Sequence, residues 1–385
     1  MTPQAAPRAP CVLFVVSEDW YFMSHRLGLA RCARAAGWRV VIAARESDQA
    51  AAIGRADLEF IALPFERALT YPWRDLALLW RLRQVLRELA PDIVHLVSLK
   101  PILLGGLAMR CVPRAAPTLL AFTGLGYIFS SRAGLARLLK PVVIRLLASV
   151  ARRPAAWVLA QNADDLAQLR AHGIADQHHT SIIAGAGLEL DAYPVTPLPP
   201  RAAALVLLPA RLLRDKGVYE FVAAAVQVRA VRPDVRFALV GAHDKVNPGA
   251  VASRDLQAWV AAGTIEWWGH RQDMAAVYAA AYIVCLPSYG EGLPRALLEA
   301  AACGRPLIAT DVPGCREICR DGETGLMVAA RDVDGLVQAL LRLLDTPSLA
   351  AACGRAARCK VEREFSLAHI AAQTLALYQA LLHRP

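Results

Sequence analysis

The sequence predicts an α/β protein built of two Rossmann-like domains with an interdomain cleft, on three observations. Short runs rich in Val, Ile and Leu, bounded by turn residues, alternate along the chain with segments of helical spacing, the pattern of strand–helix–strand units around a buried parallel sheet. The chain has 385 residues, more than one hydrophobic core usually serves. A Pro-rich stretch at residues 194–200 separates two series of such units and reads as a linker. The expected domains are residues 1–195 and 196–365, with 366–385 a C-terminal helix packing back toward the first.

In chain order, residues 12–16 (VLFVV) are a first buried strand, followed by a polar loop at Ser17, Glu18 and Asp19 and a helix over 24–36 that stops at Gly37. Strands follow at 40–43, 60–63 and 93–97, with a long amphipathic helix over 73–89 between the last two. Trp20 and Tyr21 stand where a phosphate-cradling loop would need glycines, which disfavours a dinucleotide cofactor. Residues 119–122 lead into the loop Thr123-Gly124-Leu125-Gly126-Tyr127, and strands at 156–160 and 181–183 close the first series. The second series has strands at 205–208, 236–240, 264–267, 282–286 and 307–310, then helices at 334–344, 347–359 and 366–382.

Hydrophobic residues make up 56% of the chain, which argues for a well-buried globular protein. The longest uncharged runs are broken by Pro, Gly, Ser or Thr, so no spanning helix is expected, and the apolar run at 11–16 is too short for a signal-peptide core. A cytoplasmic protein is the expectation. The nine cysteines include no C-x-x-C pair, so reduced thiols and no metal site are expected. The net charge of +10 is uneven: residues 1–190 hold 22 Lys and Arg against 14 Asp and Glu, while residues 191–385 hold 21 against 19. A basic first half implies an anionic partner: nucleic acid, a membrane surface or a phosphorylated lipid.

The most informative stretch is residues 291–318, EGLPRALLEAAACGRPLIATDVPGCREI. It follows a buried strand, turns at Gly290, opens a helix at Pro294 and ends that helix at Gly304 before the next strand. In a doubly wound sheet the ligand lies beyond the carboxyl ends of the strands, and the free N–H groups near Gly292, Leu293 and Pro294 would attract an anion such as a diphosphate. Glu291 and Glu299 could accept hydrogen bonds from sugar hydroxyls; taken singly, each also fits a complement to the helix dipole or a solvated helix position. Arg211 and Lys216, in LPARLLRDKGVYEF, follow a strand and precede a helix, so both could hold a diphosphate or could be plain surface charge. Asp332-Val333-Asp334 matches a D-x-D metal pattern, but its place at a helix start reads as a cap.

Taken whole, the 291–318 stretch resembles the E-x7-E region of retaining glycosyltransferases of family 4, which have the GT-B fold. The resemblance covers nearly the whole chain through RLLRDKGVYEF, LVGAHD, LPSYGEGLP, GLGYIF and GAGLELDAY, and is closest to the members that add N-acetylgalactosamine to undecaprenyl-diphosphate-linked sugars in protein N-glycosylation. It implies that Glu299 binds ribose hydroxyls, that Glu291 contacts the transferred sugar, and that Arg211 and Lys216 clamp the diphosphate in place of a metal ion. Gly187 and Arg271 join Gly292, Leu293 and Pro294 on the donor side. The implied donor is a UDP-sugar, with no other cofactor, and the implied acceptor is a lipid-linked sugar. Thr123 stands where many members have a histidine, and the missing N-terminal glycines are a second departure; the subgroup acting on polyprenyl-diphosphate-linked sugars shows similar changes.

Acceptor-side candidates in the first half are His25, Arg26, Lys100, Thr123 and Gly124, with His95 reading as a core histidine. Residues 131–153 hold six Lys and Arg and no acidic residue. At about 100° per residue, Arg137, Lys140, Arg145 and Arg152 fall opposite Leu138, Leu139, Val142, Val143, Leu146 and Val150, with Pro141 a break between two helices. This fits either a core-facing surface helix or a helix on an anionic membrane, placing the protein peripherally on the inner face of the cell membrane. A nucleic-acid-binding protein is the rival from another class, and no basic stretch is interleaved with stacking aromatics to support it. A GT-B epimerase acting on a nucleotide sugar is the third reading.

Overall fold

The computed structural model describes residues 8–47, 49–66, 72–112, 116–124, 134–244 and 247–384. The chain divides into two units, one of Met1–Gly187 with Leu367–Pro385 and the other of Leu188–Ser366. The first changeover thus precedes the Pro-rich stretch.

The first unit holds seven strands: β1 (Cys11–Glu18), β2 (Arg39–Arg45), β3 (Glu59–Ala62), β4 (Ile93–Val97), β5 (Thr118–Ala121), β6 (Ala156–Ala160) and β7 (Thr180–Ile182). They form one parallel sheet in the order β3-β2-β1-β4-β5-β6-β7. Both faces are covered, which is why its strands are near-continuous apolar runs. Leu13 and Val15 of β1 pack toward helices Pro72–Leu89, Leu99–Met109 and Gly134–Ala151, while Val12, Phe14 and Val16 pack toward Leu27–Ala35 and Leu367–Leu382.

The second unit holds β8 (Leu205–Pro209), β9 (Arg236–Val240), β10 (Glu266–Trp267), β11 (Ile283–Leu286), β12 (Leu307–Thr310) and β13 (Gly325–Val328), parallel in the order β10-β9-β8-β11-β12-β13. The expectation of two Rossmann-like parallel sheets holds. β13 was not expected from its sequence, a four-residue run opened by Gly325 that lies against the Leu307 carbonyl, where a Cβ would stand 2.2 Å away.

Three local expectations need correction. The single helix over 24–36 is two helices, Asp19–His25 and Leu27–Ala35, parted at Arg26 (φ −126°, ψ −12°). The first begins early, at Asp19 within the expected polar loop, and the buried Asp19 carboxylate accepts from Trp20 N at 2.6 Å and from Ser47 N at 2.7 Å. Pro141 does not break its helix, which runs over Gly134–Ala151 with Pro141 exposed inside it. Arg132 and the loop beyond Gly124 lie outside the described residues.

Candidate active site

In the second unit the strand order reverses between β8 and β11, the switch point at which a doubly wound sheet opens a crevice beyond its strand ends. The loop after β8 carries Lys216 and the loop after β11 carries Glu291. Lys216 Nζ donates to Glu291 Oε1 at 2.6 Å, both side chains less than one-fifth exposed. The sequence proposed both residues for the site; the structure pairs them across 75 positions.

Two contacts lock these loops together and a third ties the Glu291 loop to β12. Tyr289 N donates to the Asp215 carbonyl at 2.8 Å, Ser288 Oγ donates to the same carbonyl at 3.0 Å, and Thr310 Oγ1 of β12 donates to the Ser288 carbonyl. Gly217, the residue after Lys216, has φ +71°, and a Cβ there would stand 2.0 Å from the Pro287 carbonyl oxygen. Only glycine combines that left-handed turn with so close an approach. Gly314 (φ +77°) lies equally close to the Gly292 and Glu291 carbonyls, at 2.3 and 2.6 Å from its would-be Cβ, and so pins the far side of the Glu291 loop. Tyr289 OH donates to Glu220 Oε1 at 2.5 Å, and burial, then Glu220, pushes that hydroxyl's pKa up to about 12.

Pro294 is buried and serves as the N-cap of helix Arg295–Ala302, one residue before the place expected for it; Gly292 and Leu293 are half-buried in the turn leading to it. Glu299, on that helix, is 7% exposed. Its Oε1 accepts from Tyr193 OH at 2.7 Å and Arg295 Nε at 2.6 Å, and its Oε2 accepts from Tyr278 OH at 3.0 Å. Burial, reinforced by the neighbouring carboxylate, drives the hydroxyls of Tyr193 and Tyr278 above the ordinary tyrosine range, so both remain donors. Tyr193, Tyr278 and Arg295 were missed by sequence reading; the only signal was that Tyr193 closes GAGLELDAY and Arg295 follows Pro294.

Arg211 is exposed near the start of the loop after β8 and, among the described contacts, touches neither Lys216 nor Glu291. Arg271 makes a two-pronged pair with Asp273 at 2.7 and 2.5 Å and lines a cavity of about 380 Å³ with Trp268, Ala276, Val277 and Ala280. Gly187 (φ +77°) lets the chain pass under the C-terminal helix, where a Cβ would lie 2.6 Å from Leu367 Cα, so its placement is explained by packing in the first unit. Asp332 Oδ1 accepts from Gly335 N at 2.9 Å, which makes it the cap of helix Val333–Asp345.

In the first unit the strand order reverses between β1 and β4. His25, after β1, is half-buried, stacked on Tyr21 at 4.4 Å between ring centroids and bonded to Ser24 Oγ at 2.7 Å. Arg26 is buried, at 3% exposed, with Nη1 donating to the Gly185 carbonyl at 3.4 Å and Nε without a protein partner. Lys100 is likewise engaged, donating to the Glu66 carbonyl at 2.9 Å and pairing with Asp75 at 2.8 Å. Thr123 and Gly124 (φ +107°) are half-buried just beyond β5. His95 is fully buried, stacked on Phe14 and bonded through Nδ1 to Tyr378 OH at 2.5 Å. Burial, then the nearby Arg26 charge, holds its pKa well below the usual histidine range, as befits a core histidine.

Residues 24–185 match the family model described as a glycosyl transferase 4-like domain, and residues 203–346 the model described as glycosyl transferases group 1. The chain is 31% identical over 221 residues to a glycogen synthase of Mycobacterium tuberculosis, covering 56% of this chain and 51% of the relative. It is 32% identical over 145 residues to the N,N'-diacetylbacillosaminyl-diphospho-undecaprenol alpha-1,3-N-acetylgalactosaminyltransferase of Campylobacter jejuni, covering 38% of this chain and 36% of the relative. The chain thus spans about half the length, or less, of these curated relatives. Among solved structures, a sucrose-phosphate synthase from Thermosynechococcus elongatus superposes with a TM-score of 0.82 at 22% identity, covering 97% of this chain and 99% of that one. The Anabaena protein HepE, in complex with UDP and glucose, superposes with a TM-score of 0.76 at 17% identity, covering 96% and 99%. These likenesses show the fold, and with the two family models they make this chain a glycosyl transferase 4-like domain joined to a glycosyl transferases group 1 domain in the GT-B architecture.

Proposed function

We propose that the chain is a retaining glycosyltransferase that moves a hexose or N-acetylhexosamine from a UDP-sugar to an undecaprenyl-diphosphate-linked saccharide, in the assembly of a cell-surface polysaccharide or glycoprotein glycan. It would work peripherally at the inner face of the cell membrane and without a metal ion. The observation that carries this reading is the Lys216–Glu291 pair, 2.6 Å apart at the switch point of the second unit. A cation there neutralises the charge that develops on a departing nucleoside diphosphate, and a carboxylate beside it accepts from sugar hydroxyls. Arg211, exposed on the same loop, adds a second cation for the diphosphate. Glu299, oriented by Tyr193, Tyr278 and Arg295, is assigned to the ribose. The bond from the anomeric carbon to the diphosphate breaks and one to the acceptor oxygen forms on the same face, with the acceptor proton leaving to the diphosphate. UDP in the HepE structure and the lipid-linked substrate in the Campylobacter relative's name support the choice of donor and acceptor.

The test is UDP release from a panel of UDP-sugars, with and without an undecaprenyl-diphosphate sugar. Release that needs the acceptor, survives EDTA, and is slowed in folded Glu291→Ala and Lys216→Ala by a barrier raised on the order of 2–4 kcal/mol is expected. Wild-type turnover by either variant overturns the site assignment. Loss in EDTA that Mg²⁺ restores overturns the metal-free reading. Interconversion of the UDP-sugar with no acceptor and no UDP release overturns transfer in favour of epimerisation.

A further inference from the structure

We propose that the outward face of helix Pro72–Leu89 docks on an anionic membrane surface. The proposal deepens the reading above and rests on it only for a lipid-borne acceptor. Trp73, Leu76 and Trp80 are 64%, 65% and 66% exposed, an unusual state for three large apolar side chains of one helix. At about 100° per residue they fall on one side together with Ala77, Gln84 and Arg87. Leu78, Leu82, Val85 and Leu86 fall on the other and are buried in the core, so the helix already has its inward face and the Trp stripe is not needed for packing.

The charges around the stripe select the occupant. Arg87 is exposed in line with it and Arg81 is half-buried at its edge, and among the described contacts neither makes an ion pair. Of the helix's two acidic residues, Asp75 pairs with Lys100 at 2.8 Å, while Glu88, exposed beside the stripe, accepts from Gln84 at 2.7 Å, so two guanidinium groups flank the stripe against one carboxylate. Indole rings with guanidinium groups beside them suit the interface of an anionic bilayer, where the rings sit at headgroup depth and the cations meet phosphate. The helix lies in the layer that also contains Gly134–Ala151, both packed against Leu99–Met109. That second helix, the membrane face expected from its basic stretch, turns Leu147, Ala148 and Val150 into the core. Val150 lies so close to Gly106 that a Cβ there would be 2.1 Å from it. Packing therefore accounts for part of its apolar side, Val142 being 50% exposed, while its exposed Arg145 adds to the cationic surface of the layer.

The experiment is co-sedimentation of the full chain with vesicles of phosphatidylcholine alone or containing phosphatidylglycerol, beside UDP binding by calorimetry and far-ultraviolet circular dichroism to confirm folding. Wild type should pellet with the anionic vesicles. Trp73→Ser with Trp80→Ser should lower that partition at least about tenfold, and Arg81→Glu with Arg87→Glu should remove the preference for phosphatidylglycerol, with UDP binding unchanged in both. Absence of wild-type binding, or equal binding by wild type and the folded Trp variant, overturns the surface while leaving the donor site standing. Failure to bind UDP with vesicle binding intact overturns the donor site and spares the surface. A dimer of the wild type that the Trp variant abolishes, with no vesicle binding, assigns the stripe to a second copy of the chain and overturns the membrane.

Discussion

At Glu299 three donors converge on a carboxylate that is nearly out of contact with water, and this changes what its removal should do. Sequence reasoning expects Glu299→Ala chiefly to weaken UDP binding. In the structure that change also strands the fully buried Tyr278 and takes a partner from Tyr193 and Arg295, and a buried donor left without a partner costs about 1–3 kcal/mol. Tyr278→Phe is the milder probe, because it removes one donor of a side chain that is fully buried and leaves Glu299 its other two. Urea unfolding should show a loss of about 1 kcal/mol for Tyr278→Phe and a clearly larger loss for Glu299→Ala. Equal stability of Glu299→Ala and wild type would show that the carboxylate is not held as described.

Between elements, the site depends on how closely the loops after β8, β11 and β12 approach one another. Gly217 meets the Pro287 carbonyl, whereas Gly37 has a similar left-handed conformation (φ +88°) with nothing within 4 Å of a would-be Cβ. Gly37→Ala should therefore cost only the conformational penalty, about 1 kcal/mol, while Gly217→Ala adds a collision with backbone and should be the more destabilising by thermal unfolding. It should also lower transfer activity, since Lys216 is the adjoining residue. Equal losses would mean that the Gly217 loop can move away at no cost. The strands were legible because a sheet covered on both faces requires uninterrupted apolar runs, and the E-x7-E and Lys-Gly segments were legible because their residues are close in sequence. The pairing of Tyr193 with Glu299, 106 positions apart, leaves no periodic trace. Nor could periodicity tell which apolar side of a helix faces inward: residues 131–153 advertised a basic face, and the exposed Trp stripe was in the other long helix. The burial of Arg26 was not legible for a related reason, since an arginine beside a helix break carries no sequence mark of burial.

Over the whole chain, the last helix belongs to the first unit, although some 180 residues of the second unit precede it. Ile370, Ala371, Tyr378 and Leu381 join the core cluster around β1 and β2, and Tyr378 reaches His95 in the middle of the sheet. A histidine held neutral in this way ties stability to pH. Its native pKa is depressed, first by burial and then by Arg26, so on acidification through about 6.5 the unfolded chain takes up a proton that the native chain refuses. The stability it confers is fully present above the unfolded pKa and falls with decreasing pH, by up to about 1.4 kcal/mol per unit. Unfolding free energies of wild type and His95→Gln, measured between about pH 7 and pH 5, should diverge at the alkaline end and converge toward the acid end. Ending the chain after Ser366 should remove the same pH-dependent component, because His95 then meets water, and should lower the first unit's stability at every pH through the lost core contacts. With two units present, calorimetry is the suitable measurement, since a single midpoint does not describe the chain. Parallel pH profiles for wild type and His95→Gln would show that the buried imidazole is not the source of the linkage.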